Sequence, residues 1–222
     1  MKKPNPRPPA KLPHDPLTTS LLHVNYRLYG SIPKQKLKQL QERKEYAHTQ
    51  AIARFAHLPQ PERSNRQTSE IARITQRYEL ELDIYLDLIR SGPFHLQNPA
   101  IANCVMDSWK FLHATGEINL RALCIMGNHV HGLLKSGEKG NQDLGDIMRR
   151  HKGYTARMAG KIMNRTGGKF WDRAYFDRRV RTGKQLTALR YVVQNPVKAG
   201  MVDHWKDHPF TYVNPQWVHL LD

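Results

Sequence analysis

Apolar and polar residues alternate over Leu21-Leu22-His23-Val24-Asn25-Tyr26-Arg27-Leu28, and Gly30 closes the run, so the pattern predicts a first strand. Residues 34–90 are polar and helix-prone, interrupted by Pro59, Pro61 and a Ser-Asn run near 64. They divide into two helices, about 34–57 and 67–90, the second stopped by Ser91-Gly92-Pro93. Asn98-Pro99 opens a further helix with the stripe Ile101, Val105, Trp109 and Leu112, ending near Gly116. Ile118 to Met126 reads as a second strand, Gly127-Asn128 as a tight turn, and the run through Leu134 as a third strand. Asn141 or Asp143 caps a helix to about Asn164, with Leu144, Ile147, Met148, Met158 and Ile162 on one stripe. After Gly167-Gly168 come a fourth strand, about Tyr175 to Arg181, and a helix from about Lys184 to Gln194, broken by Asn195-Pro196. Trp205, Phe210, Tyr212 and Trp217 mark the tail as a short cap packed on the domain.

Without the 34–90 insertion this order is the βαββαβ plan of a ferredoxin-like (RRM-like) antiparallel sheet, an α+β fold, with one added C-terminal helix. The chain reads as one domain over 17–222. Residues 1–16, with six prolines and four Lys or Arg, read as an extended, disordered basic tail. The fold often hosts nucleic-acid binding, but by itself it decides little.

Charge narrows the choice. The 222 residues carry 35 Lys and Arg against 19 Asp and Glu, a net charge of +16 and a pI near 10.0, which points to a polyanionic partner, nucleic acid before membrane. Mean hydropathy is −0.67 and no apolar run approaches a membrane span of about 20 residues. Two cysteines, Cys104 and Cys124, imply no disulfide framework and suit a reducing cytoplasm. Residues 149–190 hold thirteen Lys or Arg and only Asp172 and Asp177 as acids. Phe170, Trp171, Tyr175 and Phe176 are interleaved with them, a pattern suited to splayed or single-stranded bases, although some of these rings must be core. Arg150, Arg157 and Lys161 fall within roughly 40° of one another at about 100° per residue, offering cations on a face away from the apolar stripe.

The candidate chemistry sits in Met126-Gly127-Asn128-His129-Val130-His131-Gly132-Leu133-Leu134. His129 and His131 are two apart on a strand and so project to the same side, the beginning of a metal site. A third ligand would be Asp, Glu, Asn, Gln or another His. His23 on the first strand could line such a site, although a half-buried strand histidine is the plainer reading. Tyr191 projects away from the Leu186, Leu189 and Val193 stripe of its helix, and Asn195 stands four residues on, near it. A tyrosine, with an ordinary pKa near 10, attacks a phosphodiester only when its developing charge is stabilised, which a divalent cation can help to do.

Four ordered blocks carry a resemblance. They are Met126 to His131 followed by Leu133-Leu134, Lys152-Gly153-Tyr154-Thr155-Ala156-Arg157, Phe170-Trp171-Asp172-Arg173-Ala174-Tyr175-Phe176-Asp177, and Tyr191-Val192-Val193-Gln194-Asn195-Pro196-Val197-Lys198-Ala199-Gly200. Together they resemble the REP-associated tyrosine transposases, within the insertion-sequence-200-like, single-tyrosine branch of HUH endonucleases. The match spans about 93–213, with a weaker echo at 21–33. It implies a Mg²⁺- or Mn²⁺-dependent enzyme that nicks and joins single-stranded, hairpin-bearing DNA through a 5′-phosphotyrosine bond. Tyr191 would be the nucleophile, His129, His131 and Asn195 the metal ligands, with Gln194 the weaker alternative to Asn195. Arg150, Lys152, Arg157, Lys161, Arg173, Arg178 and Arg179 are the expected DNA contacts. A bacterial, nucleoid-associated monomer or homodimer is expected. Gly127 and Gly132 depart from the residues usual in relatives, and the insertion is longer than in compact ones. Tyr154 is the rival nucleophile, at the edge of its helix's apolar stripe, where packing suits it better. Two other readings remain: a non-catalytic nucleic-acid-binding or repressor module on the same fold, and a structural zinc protein using His129, His131 and Cys124.

Overall fold

The computed structural model describes residues 17–140 and 142–221. The tail at 1–16 and Asn141 lie outside them. The strands β1 (Leu22–Arg27), β2 (Ile118–Ile125), β3 (His129–Ser136) and β4 (Phe176–Arg179) form an antiparallel sheet in the order β4-β1-β3-β2, the ferredoxin-like arrangement expected. A fifth strand, β5 (Thr211–Val213), pairs with the outer edge of β2. The tail is therefore part of the sheet as well as a cap. Three residues are too few to display a period of two, so this strand had no signature of its own.

Alternation along β1 and β3 divides the sheet into two unlike faces. Leu22, Val24 and Tyr26 join Val130 and Leu134 in the main core, against α3 (Pro99–Ala114) and α4 (Leu144–Ile162). Asn98 accepts from the Ala100 N–H at 2.9 Å to start α3, and Asp143 accepts from the Asp146 N–H at 2.8 Å to start α4. The buried stripe of α4 differs from the expectation in its second half. It runs through His151, Thr155 and Ala159, while Met158 and Ile162 are only partly buried. Polar residues can lie there because they are satisfied: His151 meets the Tyr26 hydroxyl at 2.6 Å and Ser108 at 2.8 Å, and Thr155 donates to the His151 carbonyl at 2.8 Å.

The opposite face carries Ala122, Cys124 and Leu133 under Leu189, Val192 and Val193 of α5 (Gln185–Val193). After Gln194 the chain makes a further turn, α6 (Asn195–Lys198), with Pro196 in its first turn, where a missing N–H costs nothing. A last turn, α7 (Pro215–Val218), follows β5.

The insertion is a helical hairpin, α1 (Lys34–Arg54) and α2 (Glu62–Leu88). It has its own core of Ile32, Leu40, Tyr78, Leu82 and Leu86, against which Phe176 of β4 packs. The second helix begins at Glu62 rather than near 67. Pro61 stands just before its first turn, and the Ser64 hydroxyl donates to Gln60 at 2.8 Å, so the Ser-Asn run starts the helix instead of interrupting it. No helix among the described residues is long and apolar enough to cross a membrane.

Candidate active site

The polar face of β1 presents His23, Asn25 and Arg27, and that of β3 presents His129 and His131. Asn25 pairs in register with His131, and Arg27 with His129. Rigid strands thus bring three imidazoles together. The rings of His23 and His131 stack at 5.3 Å, and those of His129 and His131 meet edge to face at 4.8 Å. His23, for which the sequence left open both a site-lining and an ordinary strand role, is a neighbour of the site: its Nε2 lies 3.1 Å from His131 Nδ1. Helix α5 then delivers the tyrosine. The Tyr191 ring centroid is 5.9 Å from that of His131 and 5.5 Å from that of His23.

Each metal-candidate histidine has one nitrogen held and one bare. His129 Nδ1 is 2.6 Å from Asn128 Oδ1. The Asn128 amide nitrogen donates to the Leu86 carbonyl at 3.1 Å, which turns its oxygen toward the imidazole. The proton of neutral His129 therefore sits on Nδ1, and Nε2 is a free lone pair. Both His129 Nε2 and His131 Nε2 are buried without a hydrogen-bond partner. Burial holds His23 and His129 down at about 3 and His131 well below the ordinary imidazole range, so all three are neutral at pH 7, the form that ligates metals.

Helix α2, read from sequence only as a polar, helix-prone segment, adds two carboxylates. The Tyr191 hydroxyl donates to Asp83 Oδ2 at 2.9 Å, and the Asn25 amide donates to Asp83 Oδ1. One turn on, Asp87 Oδ1 lies 3.6 Å from His129 Nε2 and is likewise buried without a hydrogen-bond partner. Burial raises Asp83 to about 7 and Asp87 to about 6. Burial, with Asp83 beside it, pushes the Tyr191 hydroxyl above its ordinary range. His23, Asn25, Glu79, Asp83, Arg178 and Tyr191 share a small cleft, and Arg178 is the cation there that opposes the rise in Tyr191. The helical pattern of α2 did contain a clue, since Glu79, Asp83 and Asp87 repeat every fourth residue on one side.

Asn195 is buried at the start of α6. Its amide nitrogen donates to the Tyr191 carbonyl at 2.7 Å and the Val192 carbonyl at 3.2 Å, so it fixes the helix end that carries the tyrosine. Tyr154, by contrast, is exposed on α4 under the Arg157 guanidinium instead of packing at the edge of the core, so nothing there resembles a nucleophile's surroundings. Cys124 faces Met126 and Thr211, and burial pushes its thiol up to about 12, which argues against a zinc thiolate.

The expected DNA-contact cations stand in unlike settings. Arg157 and Lys161 are exposed on α4, but Arg150 is ion-paired with Glu117. Lys152 turns inward, its ammonium donating to the carbonyl of Asp172 at 2.6 Å and of Arg173 at 3.2 Å. Arg173 and Arg179 are exposed, while Arg178 belongs to the tyrosine cleft. Phe170, Trp171 and Tyr175 are core residues, with the Trp171 indole donating to Thr155 at 2.9 Å, so the interleaved aromatics are not a stacking platform. Their loop folds back because Asp172 pairs with Arg27 at 2.6 Å.

Residues 96–195 match the family described as "Transposase IS200 like". Those residues are similar to IS200-like transposases over somewhat less than half of the chain. The histidine pair, Tyr191 and Asn195 all fall within the matched residues, whereas β1 and α2, which supply His23, Asn25, Asp83 and Asp87, fall outside them. Two solved chains match the chain, and one is the REP-associated tyrosine transposase bound to a REP hairpin. The match has 12% identity and a TM-score of 0.49, and covers 95% of this chain and 83% of that one. No curated protein matches.

Proposed function

We propose that this chain is a live, metal-dependent enzyme of the REP-associated type that nicks and joins single-stranded, hairpin-bearing DNA through Tyr191. The observation that carries this reading is the placement of the Tyr191 hydroxyl, on a proton acceptor, beside two neutral buried histidines whose Nε2 lone pairs face no partner.

No three His, Cys, Asp or Glu side chains among the described residues stand in ready coordination geometry. The proposed donor set is the two bare imidazole nitrogens together with the side-chain oxygen of Asn195, whose amide nitrogen is held by the end of the tyrosine helix. Such residues would hold Mg²⁺ or Mn²⁺, which would supply Lewis-acid polarisation of a non-bridging phosphate oxygen. The chain's own residues do the rest. Asp83 accepts the Tyr191 proton along the existing hydrogen bond, and Arg178 favours the phenolate. Asn25 holds Asp83 in place, and Asn195 holds the end of α5. The Tyr191 oxygen forms a bond to phosphorus as the bond to the 3′ oxygen breaks, and the 3′ oxygen takes up a proton from solvent to leave as a 3′-hydroxyl, Asp83 returning the tyrosine proton to solvent. The 5′-phosphotyrosine ester keeps the energy of the broken bond, so the same residues can run the step backward to join strands.

The test is a denaturing gel of the full chain with labelled single-stranded hairpin DNA from repeats flanking its gene, with Mn²⁺ or Mg²⁺ and with chelator. A metal-dependent, SDS-resistant adduct that is lost in Tyr191→Phe while hairpin binding persists is expected. Binding without any adduct across several flanking sequences would overturn the enzyme reading in favour of a repressor-like module.

A further inference from the structure

Two acceptors face each other across 3.6 Å in this site, His129 Nε2 and Asp87 Oδ1. The separation is too long for a hydrogen bond. Asn128 keeps the His129 proton on the far nitrogen, so no proton of neutral His129 lies between the two atoms. Both are buried and neither has another hydrogen-bond partner. Buried acceptors left opposite one another cost free energy, of order 1–3 kcal/mol each, unless something positive joins them. His131 Nε2, on the neighbouring ring, is in the same condition. The 3.6 Å between His129 Nε2 and Asp87 Oδ1 is a span that one cation with ligand distances of roughly 2.0–2.2 Å can bridge, with His131 joining through side-chain movement.

We infer that Asp87 is a protein ligand of the cation, joining His129 and His131, so that the inserted helix α2 is part of the catalytic centre. This inference rests on the metal-dependent reading above. Charge supports it. Two imidazoles and the Asn195 amide are all neutral and would leave a buried divalent ion uncompensated, and hard ions such as Mg²⁺ and Mn²⁺ prefer anionic oxygen. Construction supports it as well. Leu82 and Leu86 anchor α2 in the hairpin core, and the Leu86 carbonyl accepts from Asn128, the residue that sets the His129 tautomer. Asp83 and Asp87 stand one helical turn apart, so the same rigid face of α2 reaches the nucleophile with one carboxylate and the histidine pair with the other.

The experiment titrates Mn²⁺ into the full chain, without DNA, and reads free Mn²⁺ by electron paramagnetic resonance. Asp87→Asn is expected to raise the Mn²⁺ dissociation constant at least tenfold, and Asp87→Glu to recover part of the loss. Glu81→Gln, which removes a carboxylate of the same helix that faces Arg43 instead of the site, is expected to stay within twofold of the parent. Circular dichroism and hairpin binding in chelator should be unchanged in all three. If Asp87→Asn binds Mn²⁺ as tightly as the parent while His131→Ala does not, Asp87 is no ligand. An equal loss in Glu81→Gln would also overturn the assignment, by showing a general charge effect. Should Asp87→Asn fail to fold, the parent itself decides. Substoichiometric Mn²⁺ is expected to broaden the backbone amide signals of residues 86–88, and sharp signals there would overturn the inference. Asp87-dependent Mn²⁺ binding without a DNA adduct would sink the enzyme reading and leave the ligand assignment standing. An adduct with Asp87-independent Mn²⁺ binding would do the reverse.

Discussion

His151 on one side of the sheet and the pair His129 and His131 on the other are equally buried, and burial drives all three toward the neutral form. They differ in their second nitrogen. His151 has both nitrogens engaged, by Tyr26 and Ser108, while its ring lies 4.4 Å from that of Trp109. His129 and His131 each keep a bare Nε2. Burial and a depressed pKa therefore do not separate a structural histidine from a functional one; the unmet lone pair does. The same contrast holds for carboxylates. Asp172 is spent on Arg27, whereas Asp83 and Asp87 point at the tyrosine and at a histidine.

The sharpest way to break the contrast is to delete one histidine from each side. His131→Ala is expected to take adduct formation below detection, and His151→Gln to leave it within about twofold per folded molecule, both read on the denaturing gel. Asp83→Asn comes next. Losing the acceptor for the Tyr191 proton is expected to slow adduct formation by about 10²–10⁴-fold with hairpin affinity intact.

Metal linkage should divide the two sides again. Mn²⁺ at one hundred times its dissociation constant is expected to stabilise the parent and His151→Gln by about 2.7 kcal/mol, measured by urea denaturation. Chelator, or His131→Ala, should abolish that gain.

The pH response belongs to the structural side. The folded pKa of His151, about 3, lies below its unfolded value of 6.5. Its contribution is fully present above pH 6.5 and is lost as pH falls toward 3, because only the unfolded chain takes up the proton in that window. Between pH 7 and 5 the parent should lose about 2 kcal/mol more than His151→Gln in chelator, the other depressed histidines being common to both. The smallest effect concerns exposed cations. Removing Arg157 and Lys161 together should lower the salt slope of single-strand binding by about 0.7 for each phosphate the pair neutralises.

The sequence by itself determined the sheet and its polarity. A period of two on β1 and β3 assigns His129 and His131 to one face and Val130 to the other, and the helix periods place Tyr191 off its core stripe, because these directions are set within a single element. Cap residues Asn98 and Asp143, and the break at Asn195-Pro196, were legible for the same local reason. What lies between elements was not. His23 became a neighbour of the site only through the β1–β3 register, and Asp83 and Asp87 only through the docking of a polar hairpin whose charges look solvated in one dimension. Phe170, Trp171 and Tyr175, which the sequence left between base stacking and core, are buried beside the pair that Asp172 makes with Arg27, a residue far away in the chain. Periodicity fixes where a side chain points, but only packing decides what stands in front of it, and here that decided which acceptors were left bare.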